Sequence, residues 1–137
     1  MSERFGGSCL CGAVAFEATG GQEFRYCHCS RCRKARGSAF AANMFVQPDD
    51  FRWIRGEDQV VKYRMPSAAR FGNWFCGTCG SPVPRDVPAL KVVLIPAGSL
   101  DHDPGVRPGY HIFVGSKAPW EEIADDLPRH AEYPKTK

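Results

Sequence analysis

The sequence predicts a small, mainly β domain with little helix. Apolar and polar residues alternate in short runs, 14 glycines and 11 prolines cut those runs apart, and no long stretch keeps a helical period. At 137 residues the chain can bury one real core but not two comfortable ones, so residues 1–137 are expected to form a single domain. A charged fraction of 24% excludes wholesale disorder.

Taken in order, "VAFEA" places Val14 and Phe16 on one face of a strand, and "FRWIR" (51–55) is a second short β segment. In "VVKYRM", Val61, Tyr63 and Met65 share a face opposite Lys62 and Arg64. "RFGNWFC" (70–76) and "KVVLIPAG" (91–98) are further strands bounded by Gly or Pro. One or two helical turns are expected: "CRKARG" (32–37), stopped by Gly37, and the stretch 119–125, which opens on Pro119 and acidic residues. "HDPGVRPG" (102–109) reads as a loop.

No run of eighteen apolar residues supplies a membrane span, and "MSERFGGSCLC" lacks the basic-then-apolar pattern of a secretory signal, so a cytoplasmic location is expected. In a reducing compartment the seven cysteines stay thiols, which favours metal ligation over disulfides. The net charge is +3 but uneven: Arg25, Arg31, Arg33, Lys34 and Arg36 fall between Phe24 and Pro48 without an acid. That cluster suits an anionic ligand or a solvated face. With 15 acidic residues the chain lacks the strongly basic surface of a nucleic-acid binder, and no such partner is expected.

The cysteines fall into three groups: Cys9 with Cys11, the trio Cys27, Cys29 and Cys32, and Cys76 with Cys79. The two pairs sit among glycines that let the backbone turn around a metal, and together they make a closed, structural four-sulfur zinc site. Other partitions are open, such as Cys9 and Cys11 with two of the trio. This one uses every cysteine and leaves the trio as a site one loop can build. Three protein ligands with a vacant place is the pattern of a catalytic zinc. Three thiolates on a dication sum to −1, which makes the metal a weak Lewis acid for water but a good partner for another sulfur. The vacant place is expected to receive a substrate thiol. His28 is the rival fourth ligand, although the middle residue between two ligating cysteines usually points away from the metal.

"GSCLCGAVAFE" (7–17), "CHCSRCRKARGSAF" (27–40), "FCGTCGSPVP" (75–84), "PAGSLD" (96–101) and "HIFVGSKAPW" (111–120) together resemble the glutathione-dependent formaldehyde-activating enzymes. The resemblance implies small antiparallel sheets leaning together like a tent. It implies two zinc ions per chain, a structural one on Cys9, Cys11, Cys76 and Cys79 and a catalytic one on Cys27, Cys29 and Cys32. The activity implied is that of a carbon–sulfur lyase of the S-hydroxymethylglutathione synthase type, in which glutathione adds to formaldehyde. Glutathione carries two carboxylates, for which Arg33 and Lys34, and more weakly Lys117, are candidate partners. The alternatives are a zinc enzyme for a different thiol and a non-enzymatic, zinc-stabilised binding module.

Overall fold

The structure, a computed structural model, describes residues 3–135 except residue 69. Among the described residues ten strands form three sheets. Strands β1 (Phe5–Ser8), β2 (Ala15–Ala18) and β5 (Phe51–Arg55) make one. A second has the order β10 (Tyr110–Ile112), β3 (Glu23–Cys27), β4 (Ala41–Val46), β9 (Val92–Pro96), β8 (Arg85–Val87). The third is the ribbon of β6 (Val60–Arg64) and β7 (Gly72–Cys76). The mainly β expectation holds. Every pairing is antiparallel except β10, which runs parallel to β3.

The three-stranded sheet leans on one face of the five-stranded one. Phe5, Phe16 and Ala18 meet Met44, Val46, Val93 and Ile95 in the main apolar core. Because side chains alternate along a strand, the intervening residues Asn43, Phe45 and Leu94 point to the other face, where a cavity opens. Both faces of β4 are therefore covered, which erases the alternation that marks a half-buried strand. Gly7 sits where the two layers touch: a Cβ there would overlap the Phe16 ring and the Ser99 carbonyl. On β6 the apolar residues Val61 and Tyr63 face solvent, while Lys62 lies over the Trp74 ring at 4.2 Å.

Among the described residues one α-helix forms, α1 (Ser30–Arg36), which follows β3 and ends at Gly37, whose φ of 63° returns its N–H to the Arg33 carbonyl. The expected helix at 119–125 does not form. Its carbonyls are taken by side chains instead: Lys117 Nζ donates to the Glu121 carbonyl, and Arg129 donates to those of Ile123 and Asp125. Among the described residues no helix is long and apolar enough to cross a membrane.

Candidate metal centres

All seven cysteines are free, and they gather into two sets: Cys9, Cys11, Cys76 and Cys79 in one, Cys27, Cys29 and Cys32 in the other. Within each, the sulfurs lie within 4.8 Å of one another. This is the four-plus-three partition expected from the spacing.

Two tight turns build the first set. Cys9 and Cys76 each begin a turn, closed by Gly12 N–H to the Cys9 carbonyl at 3.0 Å and Gly80 N–H to the Cys76 carbonyl at 2.8 Å. Both glycines need positive φ, 81° and 78°. The sulfurs of Cys9 and Cys11 stand 3.7 Å apart, those of Cys11 and Cys76 3.9 Å. Four sulfurs held 2.3 Å from a tetrahedral centre would be about 3.8 Å apart, so the donor set fits a zinc-sized cation. Backbone N–H groups of Val14 and Thr78 reach Cys9 and Cys76 at 3.3 and 3.4 Å. Ser81 Oγ accepts the Leu10 N–H and stands 3.2 Å from Cys79 Sγ; its hydroxyl and its own N–H pull the Cys79 thiol down to about 5.

In the second set, Cys27 ends β3, Cys29 caps α1 by accepting the Cys32 N–H at 3.3 Å, and Cys32 lies inside the helix. The three thiols cannot all ionise unaided. Hydrogen bonds from Cys27 and Cys32 hold Cys29 far below the ordinary thiol range. The same bonds, with burial, push Cys27 up to about 11 and Cys32 higher still. A divalent cation is the group that would let all three ionise, and three soft donors with no fourth His, Cys, Asp or Glu beside them among the described residues suit one with an open position.

His28 does not join the sulfurs. Its ring is wholly buried, and Nε2 meets Nδ1 of His111 at 2.8 Å. His111 Nε2 in turn reaches both Asp125 oxygens, at 3.1 and 3.0 Å. Burial first, then the nearby His111 and Lys117, lower the His28 pKa to about 4, so the ring is neutral near pH 7. The carboxylate only accepts, so His111 donates to it through Nε2. The chain anchors the residue between Cys27 and Cys29 to β10. Nothing in the sequence links His28 to His111, because only the parallel pairing of β10 with β3 brings the two together.

The trio opens on a cavity of about 580 Å³. Four guanidinium residues line it, Arg25, Arg31, Arg70 and Arg85, together with the rings of Phe45, Phe71 and Tyr133, and among the described lining residues there is no acid. Arg25 is held at the rim by Glu23 at 3.6 Å and stacks on Phe45 at 4.8 Å. Of the cations singled out in the sequence, Arg33 and Lys34 do not line this cavity, and Lys117 binds the Ala118 and Glu121 carbonyls. Arg70 and Arg85, lying outside the basic stretch, gave no sequence signal.

Residues 4–116 match the family described as glutathione-dependent formaldehyde-activating enzyme. A Halomonas elongata protein, provisionally named as an enzyme of that kind, is 29% identical over 125 residues, covering 85% of this chain and 79% of that protein. A Rhodobacter sphaeroides protein of known crystal structure is 32% identical, with a TM-score of 0.55 over 75% of this chain and 91% of its own. With the match running through both cysteine sets, the chain belongs to the glutathione-dependent formaldehyde-activating enzyme family.

Proposed function

We propose that the protein is a zinc-dependent enzyme of the carbon–sulfur lyase type that joins glutathione, or a thiol like it, to formaldehyde or another small aldehyde. The observation that carries this reading is the trio, three sulfurs with no fourth protein donor beside them among the described residues, opening on a cavity ringed by guanidinium groups. In this reading Cys9, Cys11, Cys76 and Cys79 hold a structural zinc ion, and Cys27, Cys29 and Cys32 hold a second. When bound there, that ion supplies an open position that favours the ionised form of an incoming thiol.

The remaining work falls to the chain. Arg31 and Arg70 on the cavity wall receive the carboxylates of the thiol, with Arg25 behind them, while Arg33 and Lys34 add to the positive potential that draws the anion in. Phe71 and Tyr133 cover its apolar part. In the addition, a sulfur lone pair forms the C–S bond and the carbonyl π pair passes to oxygen. That oxygen takes up one proton, matching the one the thiol gave up, so nothing is oxidised or reduced.

Cobalt substitution tests the reading. Glutathione should turn the spectrum of the three-sulfur site toward that of a four-sulfur site, whereas S-methylglutathione, which keeps both carboxylates but offers no thiolate, should not. Identical spectra with and without saturating glutathione would rule it out.

A further inference from the structure

Arg36 and Arg85 flank the trio from two elements, Arg36 at the end of α1 and Arg85 at the start of β8. A guanidinium stays charged at any accessible pH, so enclosing one calls for an anion nearby. Neither has a carboxylate: among the described residues the ion pairs involve only Arg4, Arg25, Arg52, Arg107 and His111. Arg36 gives its terminal nitrogens to the amide oxygens of Asn43 and Asn73, at 3.4 and 3.5 Å, and its enclosed Nε has no partner. Arg85 donates to the Arg70 carbonyl at 3.4 Å and lies 5.5 Å from the Phe71 ring. The sulfurs are the anionic groups placed near both: Arg85 lines the same cavity as Cys27, Cys29 and Cys32, and Arg36 follows Cys32 by one turn of α1.

The charges can be counted. Three thiolates on a dication sum to −1, one short of the charges on Arg36 and Arg85, with Arg25 paired to Glu23 and the exposed Arg31 and Arg70 screened by solvent. A fourth thiolate brings the sum to −2 and balances them. The four-cysteine set, complete by itself, is supported instead by neutral donors, the N–H groups of Val14 and Thr78.

We propose that Arg36 and Arg85 are the counter-charges for an anionic fourth ligand at the trio, so that the site selects ionised thiols over neutral donors of similar size. This rests on the reading that the trio holds a dication with one open position. Arg85 acts from the cavity wall. Arg36 acts from outside that cavity, one turn beyond Cys32 on α1, and is a positioning residue, since it need not touch the ligand.

The test uses the cobalt-loaded full chain and three small probes, two anionic when bound (2-mercaptoethanol and azide) and one neutral (imidazole), each followed by the cobalt spectrum. Arg85→Gln and Arg36→Gln should each weaken both anions by about tenfold or more while leaving imidazole within about twofold. Arg36→Lys, which keeps the charge but not the two amide bonds, should restore most of the anion affinity. Wild-type affinity for all three probes in both Gln variants overturns the proposal, as does an equal loss for imidazole. If wild type binds no thiol, the proposed function falls and this inference with it; if wild type binds thiol and the variants match it, only the counter-charge role falls. Should Arg36→Gln fail to load two cobalt ions, Arg85→Gln alone decides.

Discussion

His28 and His111, 83 residues apart, are joined ring to ring at 2.8 Å inside the protein, and Asp125 completes the chain at the surface. Replacing His111 by Leu keeps much of the volume but leaves the buried His28 Nε2 without its partner. The folded state should lose about 1–3 kcal/mol, read from the denaturant midpoint. Asp125→Asn, at a carboxylate still 43% exposed, should cost less than His111→Leu. Equal stability of His111→Leu and wild type would mean that the histidine pair contributes nothing to the fold.

The two cysteine sets should respond differently to substitution. Cys76→Ser or Cys79→Ser opens the clasp between the first turn of the chain and β7, and should cost more than about 3 kcal/mol or prevent folding outright, measured by thermal midpoint together with metal content. Cys29→Ser should remove one metal ion and the activity while leaving most of the fold. Loss of fold in both cases would make the trio structural as well.

Charge reversal on the cavity wall, Arg31→Glu or Arg70→Glu, should weaken glutathione binding by about tenfold or more, since a charged hydrogen bond to a carboxylate contributes roughly 1.5–3 kcal/mol. Both side chains are exposed, so the thermal midpoint should hardly move. Calorimetric titration gives the affinity; wild-type values in both variants would take the anion-binding role away from this wall.

Gly7→Ala should be among the most damaging small substitutions in the chain. Its methyl group would meet the Phe16 ring and the Ser99 carbonyl, and the latter is backbone that cannot step aside. A loss of about 1–3 kcal/mol is expected. A midpoint within error of wild type would show that the two sheets can separate at this corner without penalty.

Legibility followed physical locality. The cysteine sets could be read because each half is a short run with its own turn glycines, and β5, β6 and β9 because each is a compact β segment bounded by turn residues. β4 escaped notice, being covered on both faces, as did β10, three residues long and paired in parallel with a strand far back in the chain. The stretch 119–125 looked like a helix because its carbonyls' true partners, Lys117 and Arg129, are chosen by tertiary packing. The cavity's arginines divide the same way: Arg25 and Arg31 lie in the visible basic stretch, whereas Arg70 and Arg85 arrive from elsewhere.

The placement of Cys27, Cys29 and Cys32 within one strand-to-helix turn also orders events in time. As the chain leaves the ribosome, at about 5–20 residues per second, the trio is complete once Cys32 has emerged, while Cys9 and Cys11 must wait for Cys79. For some seconds the nascent chain offers three clustered sulfurs and an unmatched pair, and closing the trio needs no long loop. A metal captured early in synthesis would then sit at the trio, and one for the four-cysteine set would arrive second.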